Sequence, residues 1–122
     1  MARVPGPARP GVFLQLFLNG GVYNGKRILG APRVRAMTSD QNRGVATPWG
    51  WGWALKGSPL ANSFGDLASE RTYGHVGATG TVAWADPDRD LSCVILTTRA
   101  WDEDRGAILN RVSNVVQSAI EE

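Results

Sequence analysis

The run Tyr73-Gly74-His75-Val76-Gly77-Ala78-Thr79-Gly80 sets the single histidine of the chain among three glycines. Glycines beside a polar side chain let the backbone come close to a ligand, because no Cβ stands in the way. A strand that ends in such glycines can aim backbone N–H groups at an oxyanion, the charge that develops on a carbonyl oxygen under nucleophilic attack. His75 is open to two readings at this point, a group that faces substrate or an ordinary polar strand residue. Thr79 and Thr81 read as residues that satisfy the bend. Other chemistries find no support in the residues. A Ser-His-Asp triad would rest wholly on His75, and no Gly-x-Ser-x-Gly elbow is present. One His and one Cys do not make a zinc site, and no Gly-x-x-x-x-Gly-Lys-Ser/Thr phosphate loop occurs. No metal and no cofactor is therefore expected.

The elements that must hold this run follow from the patterning. Thr72 to Val76 and Thr81 to Ala85 read as strands joined by the Gly77–Gly80 bend. Asp86-Pro87-Asp88-Arg89-Asp90 is a turn, and Leu91 to Thr98 is a third strand, rich in β-branched residues. Short turns between successive strands predict an antiparallel meander. Ile108, Leu109, Val112, Val115, Val116, Ala119 and Ile120 recur at helical spacing, which predicts a helix from about Asp104 with one broad apolar stripe on the sheet. Upstream, Val12 to Leu18 reads as an apolar helix stopped by Asn19-Gly20-Gly21. Asn24-Gly25 marks a turn, and Pro32 opens a short helix through Met37. Trp49-Gly50-Trp51-Gly52-Trp53-Ala54-Leu55 alternates with period two and reads as a strand with its three indoles on one face. Residues 56–72 read as a loop. Residues 1–11 form an irregular N-terminal segment, rich in Pro and Gly, ahead of a single unit over 12–122.

Composition narrows the partners. The chain has 122 residues, of which 43% are hydrophobic and 20% charged, the balance of a folded domain rather than a disordered or membrane-spanning one. Thirteen basic residues are interleaved with eleven acidic ones, so no nucleic-acid footprint is expected. No apolar run approaches the roughly 20 residues of a membrane span. The N-terminus lacks the apolar core of a signal peptide, and the compartment stays open. The lone Cys93 lies in an apolar run and reads as core packing.

The stretch from Tyr73 to Arg99 resembles the third motif region of the serine β-lactamases, penicillin-binding proteins and related esterases. That motif is Lys-Thr-Gly in many members, with His in place of Lys in many esterase-like ones. His75-Val76-Gly77-Ala78-Thr79-Gly80 is similar to the class C form, in which Lys-Thr-Gly is followed by Ala-Thr-Gly. Trp84 to Leu91 and Val94 to Arg99 resemble the hairpin that follows, and Phe13 to Gly21, Ile28-Leu29 and Val34 to Thr38 the helix, turn and helix that precede. The resemblance covers roughly residues 12–120. It implies a partial serine β-lactamase-like fold of the α+β class, an antiparallel meander with the C-terminal helix packed on one face. It implies a small-molecule ester or amide substrate, with His75 and Gly77 at the substrate and the Ala78 N–H as one oxyanion donor.

The departures are as informative. None of Ser39, Ser58, Ser63, Ser69, Ser92, Ser113 and Ser118 has Lys three residues on, so the family's nucleophilic Ser-x-x-Lys is absent. The family's Tyr-x-Asn or Ser-x-Asn motif is absent too, and Val76 replaces the hydroxyl residue of the third motif. Both missing motifs normally precede the matched region. The expectation is therefore a C-terminal portion of such a hydrolase, inactive alone. The alternative is a non-catalytic truncated or degenerate chain that binds a partner. One helix covers one sheet face only, so an unpaired edge and exposed Trp49, Trp51 or Trp53 predict self-association of the isolated chain.

Overall fold

A computed structural model describes residues 8–120. In chain order they form α1 (Ala8–Leu18), the strands β1 (Val22–Tyr23) and β2 (Lys26–Arg27), α2 (Ala31–Met37), β3 (Ala54–Leu55), a 3-10 helix (Pro59–Phe64), β4 (Tyr73–Gly77), β5 (Thr81–Asp86), β6 (Leu91–Leu96), α3 (Trp101–Asp104) and α4 (Ala107–Ser118). The main sheet has the order β3-β4-β5-β6, and each neighbouring pair is antiparallel. This is the α+β meander that the turn-separated runs predict.

Turn chemistry sets most of the boundaries. At the end of α1 the Gly21 N–H donates to Leu16 O at 2.9 Å and the Gly20 N–H to Phe17 O at 3.0 Å, with Gly20 at φ +69°. That doubled bond pattern closes a helix around a left-handed glycine. Asn24 and Gly25, at φ +50° and +75°, turn β1 into β2. Pro32 opens α2, where its missing N–H costs nothing.

Strand alternation divides the core into two layers. On one face Leu55, Tyr73 and Ala85 meet Leu14 and Phe17 of α1, Val34 of α2, and Trp53. On the other, Ala54, Val82 and Trp84 meet Ala61 and Phe64 of the 3-10 helix and Leu109 of α4. Phe17, Trp53 and Tyr73 pack as an aromatic group with ring centroids 5.3–6.2 Å apart. Both sheet faces are therefore covered by helix, and the expectation of a single covered face is corrected. The apolar helix over Val12 to Leu18 supplies the second cover.

Other expectations shift as well. α1 begins at Ala8, so residues 8–11 are helical rather than irregular, while residues 1–7 lie outside the described residues. Pro10 falls in the first turn, where N–H groups have no helical acceptor. Of the Trp/Gly run only Ala54 and Leu55 are strand. Trp49 pairs with Ala54 as an isolated bridge and the Gly50 N–H donates to Trp53 O at 2.9 Å, so the chain folds back at Gly52, φ +91°. The three indoles consequently part: Trp53 is buried, Trp49 half-buried and Trp51 exposed. The 56–72 loop contains the 3-10 helix, whose Ala61, Ser63 and Phe64 are buried. The C-terminal helix is broken at Arg105 and Gly106, both with positive φ, into α3 and α4.

Candidate active-site edge

β4 pairs with β5 along its whole length, from Tyr73↔Ala85 to Gly77↔Thr81, but with β3 only at Tyr73 and Gly74. From His75 onward its outer edge therefore has no strand beside it among the described residues. His75, Gly77 and Ala78, separated in role by the sequence reading, lie in succession along this edge and into the turn. His75 and Ala78 are exposed and Gly77 is half-buried. Val76 points to the opposite face and packs on the α4-side core, which explains why an apolar residue is accommodated there.

The imidazole is held from two sides. His75 Nδ1 lies 2.7 Å from Val76 O, and because a carbonyl only accepts, a hydrogen belongs on Nδ1. Trp49 meets the ring edge to face at 5.5 Å. The turn is fixed equally firmly. The Gly80 N–H donates to Gly77 O at 3.0 Å, the Thr97 N–H to Gly80 O at 3.1 Å and the Trp101 N–H to Ala78 O at 3.0 Å. A Cβ on Gly80, which sits at φ +98°, would stand 1.9 Å from Arg99 O, so only glycine lets the two segments meet. Trp101 is anchored in turn by its Nε1–H to Ser63 Oγ at 3.1 Å. Trp101 escaped the sequence reading, since it lies in no motif, and Thr97 was read only as part of the third strand and of the hairpin that resembles the family's.

Behind the opposite end of β4 lies a buried polar knot. Asp86 is fully buried and accepts from the Ser69 N–H at 3.0 Å and hydroxyl at 2.5 Å, the Asp88 N–H at 3.1 Å, Arg89 Nη1 at 3.2 Å and Gln117 Nε2 at 3.4 Å. Burial alone would push its pKa up, but the two Ser69 bonds, Arg89 and Gln117 together hold it below the usual carboxylate value. Sequence shows only a turn here, because the donors come from a loop 17 residues upstream and a helix 31 residues downstream. Burial raises the Tyr73 phenol, with Arg71 opposing, and raises the Cys93 thiol. A groove of 730 Å³ is lined by Phe17, Val34, Leu55, Lys56, Arg71 and Tyr73 among others, but not by His75, Gly77 or Ala78.

The sequence family model described as Beta-lactamase matches residues 11–116. The chain belongs to the β-lactamase family. A protein named "Putative D-alanyl-D-alanine carboxypeptidase" from Escherichia coli (strain K12) is 36% identical over 89 residues, 72% of this chain and 20% of that protein. One of the same name from Salmonella gallinarum is 37% identical over the same shares. The crystal structure of a β-lactamase from Mycobacterium bovis superposes with a TM-score of 0.70 at 25% identity, covering 87% of this chain and 41% of the other. The chain thus spans a fifth of the length of these curated relatives. Among the described residues of this β-lactamase-family chain, no helix is long and apolar enough to cross a membrane.

Proposed function

We propose that this chain is the C-terminal part of a serine β-lactamase-like hydrolase and forms one wall of its acyl-transfer cleft. The observation that supports this most is the open outer edge of β4, where His75, Gly77 and Ala78 follow one another beside a turn locked by segment 97–101. In this reading a serine from another part of the protein attacks the ester or amide carbonyl. The Ala78 N–H, together with the N–H of that serine, donates to the resulting oxyanion. His75, in the place of the motif's Lys, faces the substrate. The relatives' names point to amides ending in D-alanine, whereas His in place of Lys leans towards esters, and both proceed through the same acyl-serine.

With no Ser-x-x-Lys among its residues, the 122-residue chain is expected to turn over neither a chromogenic cephalosporin nor a short p-nitrophenyl ester. Turnover abolished by an active-site-directed serine reagent would overturn that. The reading frame immediately upstream is expected to encode an in-frame Ser-x-x-Lys. A stop codon with no such motif would leave a non-catalytic binding chain and sink the cleft reading.

A further inference from the structure

We infer that Trp49 is a positioning residue: its indole holds the His75 imidazole in the orientation that ties Nδ1 to Val76 O and leaves Nε2 to the substrate. This rests on the cleft reading above. The two rings meet in a T-shaped contact, with centroids 5.5 Å apart and planes at 70°, a geometry that aromatic pairs favour. His75 Nδ1 lies 2.7 Å from Val76 O. The ring nitrogens are distinct, and a bond at one decides which of them a ligand can meet. Nε2 has no hydrogen-bond partner among the described residues, and His75 is exposed at the open edge of β4.

A bond to the carbonyl of the next residue, within reach of water, restrains a ring only weakly, because water competes for both partners. The indole supplies the second restraint, and it is itself anchored. The Gln41 N–H donates to Trp49 O at 2.7 Å and the Trp49 N–H to Asp40 Oδ1 at 3.4 Å. Trp49 pairs with Ala54, and Ala54 with Gly74, the residue before His75. Gly50 presses so closely on the end of α2 that a Cβ would stand 1.9 Å from Met37 O. The half-buried indole also packs on the α4-side core. Trp53, Trp84 and Trp101 are engaged elsewhere, with Phe17 and Tyr73, with Ser113 and with Ser63. Among the described residues, Trp49 alone has a ring contact with His75.

His75 is the only histidine, so a histidine-labelled chain gives one imidazole signal set. Magic-angle-spinning NMR reads its tautomer even from a self-associated sample. At about pH 9, above the ordinary titration range of histidine, an unrestrained ring carries its hydrogen mainly on Nε2. The unsubstituted chain is expected to carry it on Nδ1, and Trp49→Phe to keep it there. In Trp49→Leu, with secondary structure retained by circular dichroism, the ratio of Nδ1–H to Nε2–H is expected to fall about two- to tenfold, the loss of one aromatic pair. N-acetyl-D-alanyl-D-alanine and N-acetylglycine ethyl ester, which a chain without a nucleophile leaves intact, then serve as probes. At least one is expected to shift the Nε2 signal of the unsubstituted chain and of Trp49→Phe, and to shift it less in Trp49→Leu. A hydrogen on Nε2 in the unsubstituted chain, a measurement that needs no variant to fold, would overturn the role of Trp49. So would a ratio unchanged in Trp49→Leu, and either result would leave the cleft standing if a probe still shifts the ring. No shift with either probe in the unsubstituted chain would overturn the cleft reading and this inference together.

Discussion

Asp86 is fully buried and still favours its charged form, because five donors reach its two oxygens. A carboxylate whose folded pKa lies below its unfolded value, about 3.9, adds stability that is complete above the unfolded value and is lost as pH falls through the folded one. The melting temperature is therefore expected to fall as pH drops below about 4, and Asp86→Asn to flatten that decline. At neutral pH the same variant is expected to cost about 1.5–3 kcal/mol, the range for hydrogen bonds to a charged group, read from denaturant titrations across pH. An unchanged acid limb in Asp86→Asn would show that other carboxylates govern it. Gly80 is the residue on which the turn after β4 depends. Gly80→Ala must fit a Cβ 1.9 Å from Arg99 O at φ +98°, so a loss of more than about 2 kcal/mol is expected. A chemical melt matching that of the unsubstituted chain would contradict the geometry of the turn.

α4 shows at the scale of an element how periodicity and packing part. Its apolar residues recur at helical spacing, yet Val115 is 68% exposed and Val112 is also exposed. The line that faces the sheet is Leu109, Ser113 and Gln117, with Val116 at its margin. Ser113 is fully buried and joins three elements: it accepts from Trp84 Nε1–H at 2.9 Å and donates to Ser63 O at 2.9 Å. Ser113→Ala would strand a buried indole N–H and a buried carbonyl, for an expected cost of about 1–3 kcal/mol. Val115→Ala is expected to stay within about 0.5 kcal/mol. Paired denaturant titrations check this, and the reverse order would mean that α4 presents a different face to the sheet.

At the scale of the whole molecule, the faces of the sheet are covered by helix, while among the described residues β6 and the far half of β4 each have one edge without a strand partner. β6 is six residues long, Leu91-Ser92-Cys93-Val94-Ile95-Leu96, without charge or proline, and among the described residues it pairs on one side only. The far half of β4 is open on its outer side. Uncharged edges of this kind template association. The isolated chain is accordingly expected to be a self-associated or aggregating species by light scattering, driven by the edges and not by a bare sheet face. A monodisperse monomer with a sharp cooperative melt would contradict this and leave family membership untouched.

Local chemistry in the sequence was sufficient for the meander, the turns at Asn24-Gly25 and Gly77–Gly80, the glycine stop of α1 and the proline start of α2. Each of these depends on a few adjacent backbone dihedrals, and the residue types that permit them are written in order along the chain. The motif run from His75 to Gly80 was legible for the same reason, since its residues are neighbours on one strand and its turn. Four outcomes needed the tertiary structure: the fold-back of the Trp/Gly run, the second helical cover of the sheet, the polar buried side of α4 and the Asp86 knot. In the first, period two fits a strand and a tight hairpin alike, and the close contact of Gly50 with the end of α2 decides between them. In the last two, a buried polar group is tolerable only when its partners arrive from distant segments. Ser63, Trp84 and Ser113, or Ser69, Asp86 and Gln117, become neighbours only once the chain has folded.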